Sequence, residues 1–260
     1  MIDDNLAKDL LVSRVPEITL IFWIIKTLST TVGETAADYL SDNLGFGMPL
    51  VTIFMSIIIA GLLFLQFKKF KKYIPANYWS LVVLMSIIGT LVTDILVNDL
   101  NVSPITLSII FTSGMFYGFI LWYKNEGTLS IHSIETSKRE SYYWFVILLA
   151  FALGAVAGDL FSQSLALGYG LTLLIFSGLI ILVIFAYYVL KLNAIWAFWI
   201  AFILTRPLGA SFGDFLTHPV NDGGLNINML SVNTVFFVLI ISLVYYLEKT
   251  NKKILIDKKK

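Results

Sequence analysis

One pattern occurs four times in this chain, and it constrains the fold more than any other feature. Phe22-Trp23, Tyr78-Trp79, Tyr143-Trp144 and Phe198-Trp199 each open an apolar run. Ten residues after each Trp stands a Gly (Gly33, Gly89, Gly154, Gly209). Four residues later comes a small residue (Ala37, Thr93, Gly158, Gly213), followed at once by an Asp (Asp38, Asp94, Asp159, Asp214). All four copies are ungapped, and successive Asp residues lie 56, 65 and 55 positions apart. A fixed internal period means one structural unit packed against copies of itself.

The medium follows from composition. The chain is 58% hydrophobic and only 13% charged, where a soluble domain carries roughly 25% charged residues. Eight apolar runs, at about 17–40, 47–67, 76–96, 103–123, 142–161, 168–190, 195–216 and 228–247, have the length of about 20 residues that a helix needs to cross a bilayer. They are too long and too continuously apolar for barrel strands. The expected fold is an all-α integral membrane protein of eight transmembrane helices. Each repeat is a helical hairpin, and two crossings per repeat make the four copies parallel, in a pseudo-fourfold arrangement. The expected organisation is a segment 1–15, repeats at 16–73, 74–124, 142–193 and 194–248, a connector at 125–141 and a basic tail at 249–260.

Orientation comes from the basic residues. Sixteen of the 18 fall on one side: Lys8 and Arg14; Lys68, Lys69, Lys71 and Lys72; Lys124, Lys138 and Arg139; Lys191; and six between Lys249 and Lys260. Lys26 and Arg206 lie inside helices, and the loops after the four Asp carry no base. Excess Lys and Arg mark the cytoplasmic side, so both termini are expected there and the Asp residues towards the outside. The 15 residues before Pro16 lack the apolar core of a signal peptide, so helix 1 is expected to be an uncleaved anchor.

Several chemistries are excluded. With no Cys there are no disulfides and no thiolate metal sites, and the two His, His132 and His218, lie in loops. No Ser-His-Asp set and no Gly-rich phosphate loop is present, and a net charge of +1 gives no reason to expect nucleic acid. What remains is the repeat itself. The Gly and the small residue four positions on (Gly33, Gly89, Gly154 and Gly209, with Gly158 and Gly213) share a helix face that lets backbones approach closely. Trp23, Trp79, Trp144 and Trp199 suit the aromatic belt at the membrane interface. Asp38, Asp94, Asp159 and Asp214 sit at helix C-termini, where the macrodipole disfavours a carboxylate. Four repetitions of an unfavourable choice imply that something positive or polar meets them.

Departures from the repeat sharpen this. Thr27, Thr31, Glu34 and Asp38 are spaced i, i+4, i+7 and i+11, which reads as a polar stripe. Ser86, Thr90 and Asp94 repeat it weakly, and Phe151, Ala155 and Asp159 hardly at all. Arg206 holds the repeat position of Thr30, well inside the membrane, so a carboxylate partner is expected, from Glu34 or Asp38. In a ring of four hairpins repeats 1 and 4 are neighbours, which brings helix 1 to helix 7. Pro207 removes one helical hydrogen bond beside it. Lys26, about six residues from its helix start, is expected to snorkel out to the cytoplasmic side. Five acids against two bases leave a deficit that a cation would fill. Oxygen ligands without Cys or inner His suit Mn, Mg or Ca, and Asp42, Asp99, Asp222, Asn43, Asn98, Asn101 and Asn221 would attract cations to the outer mouth.

The tandem Trp-containing two-helix repeats, the run Thr205-Arg206-Pro207-Leu208-Gly209-Ala210-Ser211-Phe212-Gly213-Asp214 and the opening Val15-Pro16-Glu17-Ile18-Thr19 resemble a family of bacterial inner-membrane proteins. Its members are described only as membrane-anchored proteins built from a repeat of unknown function. The resemblance implies eight helices and an inner-membrane location, and no substrate. Three readings stand: a cation transporter or channel using Glu34, Asp38, Asp94, Asp159 and Asp214; a sensor or scaffold built on the Arg206–carboxylate network; and an intramembrane lipid-modifying enzyme. Lipid and a small cation are the expected partners, pairing of two chains is left open, and the odd helices are expected inside with the even ones outside.

Overall fold

Local signals start most of the helices. In the computed structural model, which describes residues 13–43 and 45–257, Thr19, Ser103, Thr136 and Asn193 each accept a backbone N–H of the first turn they precede. Pro49 and Pro75 open two others and Pro104 follows the Ser103 cap, positions where a missing N–H costs nothing. The described residues form eight long helices and no strand: α1 Leu20–Asp38, α2 Met48–Phe64, α3 Pro75–Asp94, α4 Pro104–Glu126, α5 Ser137–Asp159, α6 Gly168–Tyr188, α7 Ala194–Thr217 and α8 Met229–Asp257. They fall on the eight expected runs. Seven are long and apolar enough to cross a membrane. The exception is α1, whose Lys26, Glu34, Asp38 and run of Ser and Thr lower its hydropathy. The connector is shorter than 125–141: α4 runs on to Glu126 and the Thr136 cap starts α5 at Ser137. Lys8 and Lys258–Lys260 lie outside the described residues, as do the side chains of Asp42, Asn43 and Asp222.

α1, α3, α5 and α7 form a closed inner ring in that order, with α7 back against α1. The even helices stand outside. Over half of the apolar stretch is buried in α3, α5 and α7 (61%, 56% and 56%), against 11–28% in α2, α4, α6 and α8. Each even helix packs chiefly on the odd helix ahead of it in the ring: α2 on α3, α4 on α5, α6 on α7, and α8 on α1, where it also reaches α3. The outer faces are apolar, as at Leu50, Ile53 and Ile57 of α2 or Val235, Val238 and Ile241 of α8.

The repeat glycines set the ring. A side chain on Gly33 would collide with Ser86 of α3, on Gly154 with Arg206 of α7, and on Gly209 with Thr30 of α1. On Gly89 it would come within 3.0 Å of the Phe151 backbone of α5. Each Gly thus lies against the residue three positions before the next Gly in the ring. The second small position continues the seam, with Gly158 against Ala210 and Gly213 against Thr35. Close backbone approach of this kind is what small residues provide between apolar helices.

The Trp residues require a correction. Trp79, Trp144 and Trp199 are buried between helices and Trp23 is half-buried, so they pack rather than anchor to an interface. Each touches the aromatic that precedes the Trp of the previous repeat: Phe22–Trp79 at 5.4 Å, Tyr78–Trp144 at 5.3 Å, Tyr143–Trp199 at 6.1 Å and Phe198–Trp23 at 5.8 Å between centroids. Four equal-period helices leave four equal gaps, and each indole fills one. Trp144 Nε1 donates to Glu140 and Trp199 Nε1 to the Leu129 carbonyl, which meets the polar need of a buried indole.

Candidate functional site

Reading each odd helix at intervals of four residues from its aromatic gives five tiers along the ring. The first is Phe22, Tyr78, Tyr143 and Phe198; the second Lys26, Val82, Ile147 and Phe202; the third Thr30, Ser86, Phe151 and Arg206; the fourth Glu34, Thr90, Ala155 and Ala210. Every one of these sixteen side chains is buried. The fifth tier is Asp38, Asp94, Asp159 and Asp214. The inward line therefore follows the i, i+4 ridge, which is the ridge that interdigitates when helices cross steeply. This corrects the stripe expected through Thr27 and Thr31: Thr27 is half-buried, and both hydroxyls of Thr31 and Thr30 return to the Thr27 carbonyl. Lys26 and Thr30 take the inward positions instead.

Arg206 spans the third and fourth tiers. Its stem lies over Gly154, and its Nη2 donates to Glu34 Oε2 at 3.0 Å and to Thr90 Oγ1 at 2.6 Å. Thr90 Oγ1 is itself 3.1 Å from Glu34 Oε2. The expected pair of Arg206 with Glu34 is formed, α1 to α7, and α3 completes it through Thr90. Sequence reasoning missed that third member, although Thr90 holds the repeat position of Glu34.

Lys26 also differs from expectation. It does not snorkel; it is fully buried, with Nζ 3.0 Å from Thr205 Oγ1 and 3.5 Å from the Phe202 carbonyl. The ammonium lies 4.1 Å from the ring centre of Phe202 and 4.5 Å from that of Phe151, within the range of a cation–π contact. The ring closes around it, so the side chain has no lipid-facing path to water. Carbonyls in the turn before Pro207 carry part of this network: Phe202 O takes Lys26, and Thr205 O takes Thr30 Oγ1 at 3.1 Å.

The acids gather at the other end. Asp38, Asp94 and Asp159 are each the last residue of an α-helix and are followed by one π-helical turn, at Tyr39–Asn43, Ile95–Asp99 and Leu160–Ser164. Such turns open the ladder and re-aim side chains. α7 instead runs past Asp214 to Thr217, which leaves Asp214 3% exposed while the other three are half-buried. One carboxylate oxygen from each of Glu34, Asp159 and Asp214 lies within 4.8 Å of the other two. Asp94 and Asp214 both lie within electrostatic reach of Glu34, Asp38, Asp159 and Arg206, so the five acids form one field. Gln163 donates to Asp159 at 3.2 Å, and His218 stands 3.8 Å from Asp214 with its ring against Tyr169. Among the described residues, three converging carboxylates face a single guanidinium. Oxygens at this spacing can take opposite sides of an ion with bonds of about 2.4 Å, the Ca range, and smaller Mg or Mn would draw them closer.

The opposite end of the ring is closed. Phe22 and Phe198 are 6.1 Å apart, and the hydroxyls of Tyr78 and Tyr143 hydrogen-bond to each other across the first tier. Beyond them Arg14 bonds Glu140 at 2.7 Å, Ser137 and the Glu135 carbonyl, and its own N–H reaches the Ile134 carbonyl. The residues before α1 thereby strap the connector beneath the aromatic tier.

Comparison with known proteins adds an identity but no activity. No curated protein and no solved structure matches the chain. A family model, described as a Repeat of Unknown Function, matches at residues 21–71, 77–128, 142–193 and 197–253. Those four segments are the four hairpins, and they cover most of the chain, so it belongs to the DUF347 repeat family.

Proposed function

We propose that the chain is a multi-pass protein of a bacterial inner membrane that binds and passes a cation, as a transporter or channel does, through the acidic end of its helix ring. The basic residues cluster at the Trp end, which supports a cytoplasmic placement of that end, with the Asp tier outside. The observation that carries the reading is the convergence of Glu34, Asp159 and Asp214 within 4.8 Å, with Arg206 on Glu34 as the one guanidinium ion-paired to them among the described residues. Three like charges at that separation repel strongly in a low-dielectric interior. A hard divalent ion, or protons, would supply the missing positive charge, and half-buried Asp38, Asp94 and Asp159 offer an approach from the open end. The closed aromatic tier favours a gated transporter over an open channel. A lipid-modifying role for Arg206 is disfavoured, because Arg206 is fully buried beneath Glu34 and offers nothing to a headgroup.

The test is the unfolding temperature of purified protein in Mg, Ca, Mn and Na, for the parent chain and for Asp159→Asn and Asp214→Asn. A ligand at 100 times its dissociation constant stabilises the folded state by about 2.7 kcal/mol. A divalent-specific rise in the parent, lost in both variants, is the expected result. No ion-specific rise in the parent would instead favour the second reading, a permanent Arg206–carboxylate network in a membrane scaffold.

A further inference from the structure

α2 and α8 both lie against α3, and between them a groove of about 950 Å³ stays open. Its floor is Ala76, Ser80, Val83 and Ile87 of α3, spaced to share one helix face, with Met55 of α2 beside it. The floor is small-sided at Ala76 and Ser80 and bulkier beyond. Along α8 the groove runs from Leu230 to Glu248, about 27 Å at 1.5 Å per residue, close to the ~30 Å depth of a hydrocarbon core. α8 itself has 29 residues, and its length past Glu248 carries Lys249, Lys252 and Lys253. The turn from α2 to α3 adds Lys68, Lys69, Lys71 and Lys72 at the same end, and all seven lysines are exposed. That turn is pinned: Gln66 Nε2 donates to the Lys72 carbonyl at 3.2 Å, and Asn77 Nδ2 to Gln66 Oε1 at 2.9 Å. Lys252 Nζ lies 2.9 Å from Glu248 Oε1, which sets an ammonium at the groove mouth. Residues 65–80 and 241–256 hold no acid but Glu248, and with Glu17 ahead of α1 the lysines still outnumber the acids seven to two.

We propose that this groove binds an anionic glycerophospholipid, with an acyl chain laid along the α3 floor and the phosphate held at the rim by Lys72 and Lys252. The apolar floor selects hydrocarbon, and the lysine rim selects a negative head group. The groove has a direction. At its far end Tyr39 lines it next to Asp38, and the loops there carry no base, so an anionic head group is repelled. A second copy docked through the same face would share the membrane orientation and set lysine rim against lysine rim. The inference rests on the membrane placement proposed above and is independent of the cation reading.

The test uses the full chain, purified in a neutral detergent and stripped of lipid, with unfolding followed by tryptophan fluorescence and bound lipid counted by native mass spectrometry. Phosphatidylglycerol is expected to raise the unfolding temperature saturably, by several degrees at high occupancy, and to stay on the chain in the spectrometer, while phosphatidylcholine does neither. Ser80→Phe fills the groove floor, and Lys72→Gln with Lys252→Gln removes the rim; each is expected to abolish the preference. Lys124→Gln with Lys191→Gln takes the same charge from the same end away from the groove and is expected to keep it. Equal response to the two lipids would overturn the proposal. So would equal loss in both lysine pairs, which would mean adsorption to the whole basic end. A parent dimer that Ser80→Phe dissociates would overturn it in favour of a second copy in the groove. Release of the chain from native membranes by alkaline carbonate would overturn the membrane placement and the proposal with it, whereas a retained chain without lipid preference overturns the groove alone.

Discussion

Arg206 reaches Glu34 from α7 with one nitrogen, and both side chains are out of solvent. A buried pair is weak support for stability as a whole, but removing one partner leaves a charge uncompensated, which costs about 3–5 kcal/mol. Glu34→Gln is therefore expected to be strongly destabilised, and Glu34→Gln with Arg206→Met to regain most of the loss, as read by thermal unfolding of the two variants in one detergent. Equal loss in the single and double variants would mean that packing, not charge, dominates there. The glycines give a cleaner contrast. A methyl on Gly154 meets the pinned stem of Arg206 and stands 2.9 Å from Pro207 Cδ, whereas one on Gly61 of α2 has nothing within 4 Å. Gly154→Ala should cost about 1–3 kcal/mol by overpacking. Gly61→Ala should cost nothing measurable, and the difference in unfolding temperature between the two checks the ring contact directly.

At the scale of helices, the arrangement is one in which hairpin partners in sequence are not packing partners in space. Each even helix braces the next odd one, so the chain interlocks around the ring and α8 closes it on α1. Thr35 and Asn233 mark that closure: Thr35 Oγ1 and Asn233 Oδ1 are 2.7 Å apart, and Asn233 Nδ2 donates to the Thr35 carbonyl at 3.1 Å. The chain has no Cys, so Thr35→Cys with Asn233→Cys is expected to form an intramolecular disulfide on mild oxidation, seen as a mobility shift that a reductant reverses. Its failure to form would place α8 elsewhere. The helices themselves, the neighbourhood of repeats 1 and 4 and the Arg206–Glu34 pair were all legible in the sequence, because an ungapped period carries them. The bracing of the even helices was not, since their apolar faces are alike on every side. Nor was the inward line through Lys26 and Thr30. Which of two adjacent stripes faces inward depends on how steeply the helices cross, and that is set by contacts such as Gly209 on Thr30, made by residues far apart in the chain. Lys26 was misplaced for the same reason: its depth was counted along its own helix, while its burial comes from α5 and α7.

Across the whole molecule the ring is asymmetric from end to end. At one end the Asp tier is half-buried at three of its four members; at the other, aromatics, the Tyr78–Tyr143 hydrogen bond and the Arg14–Glu140 strap lie in succession. A protein that moved an ion through this ring would have to open the aromatic end, and the groups that oppose opening are few. The two tyrosines bridge α3 to α5, and Arg14 ties the segment before α1 to the start of α5. The absence of Cys allows each level to be probed singly by a membrane-impermeant thiol reagent. Asp94→Cys is expected to react from the Asp side, because that position is half-buried at the open end, while Val82→Cys, one tier beyond the Arg206 level from it and wholly buried, is expected to resist from both sides. Replacing both Tyr78 and Tyr143 by Ala removes the bridge and the bulk above Val82, and should admit reagent to Val82→Cys from the basic side while leaving the Asp94→Cys rate unchanged. If Val82→Cys reacted as readily in the parent background, the aromatic tier would not be a barrier and the ring would be open through its length. If it stayed protected after both substitutions, closure would reside in the Lys26 tier itself, where Ile147 and Phe202 complete a wholly buried layer.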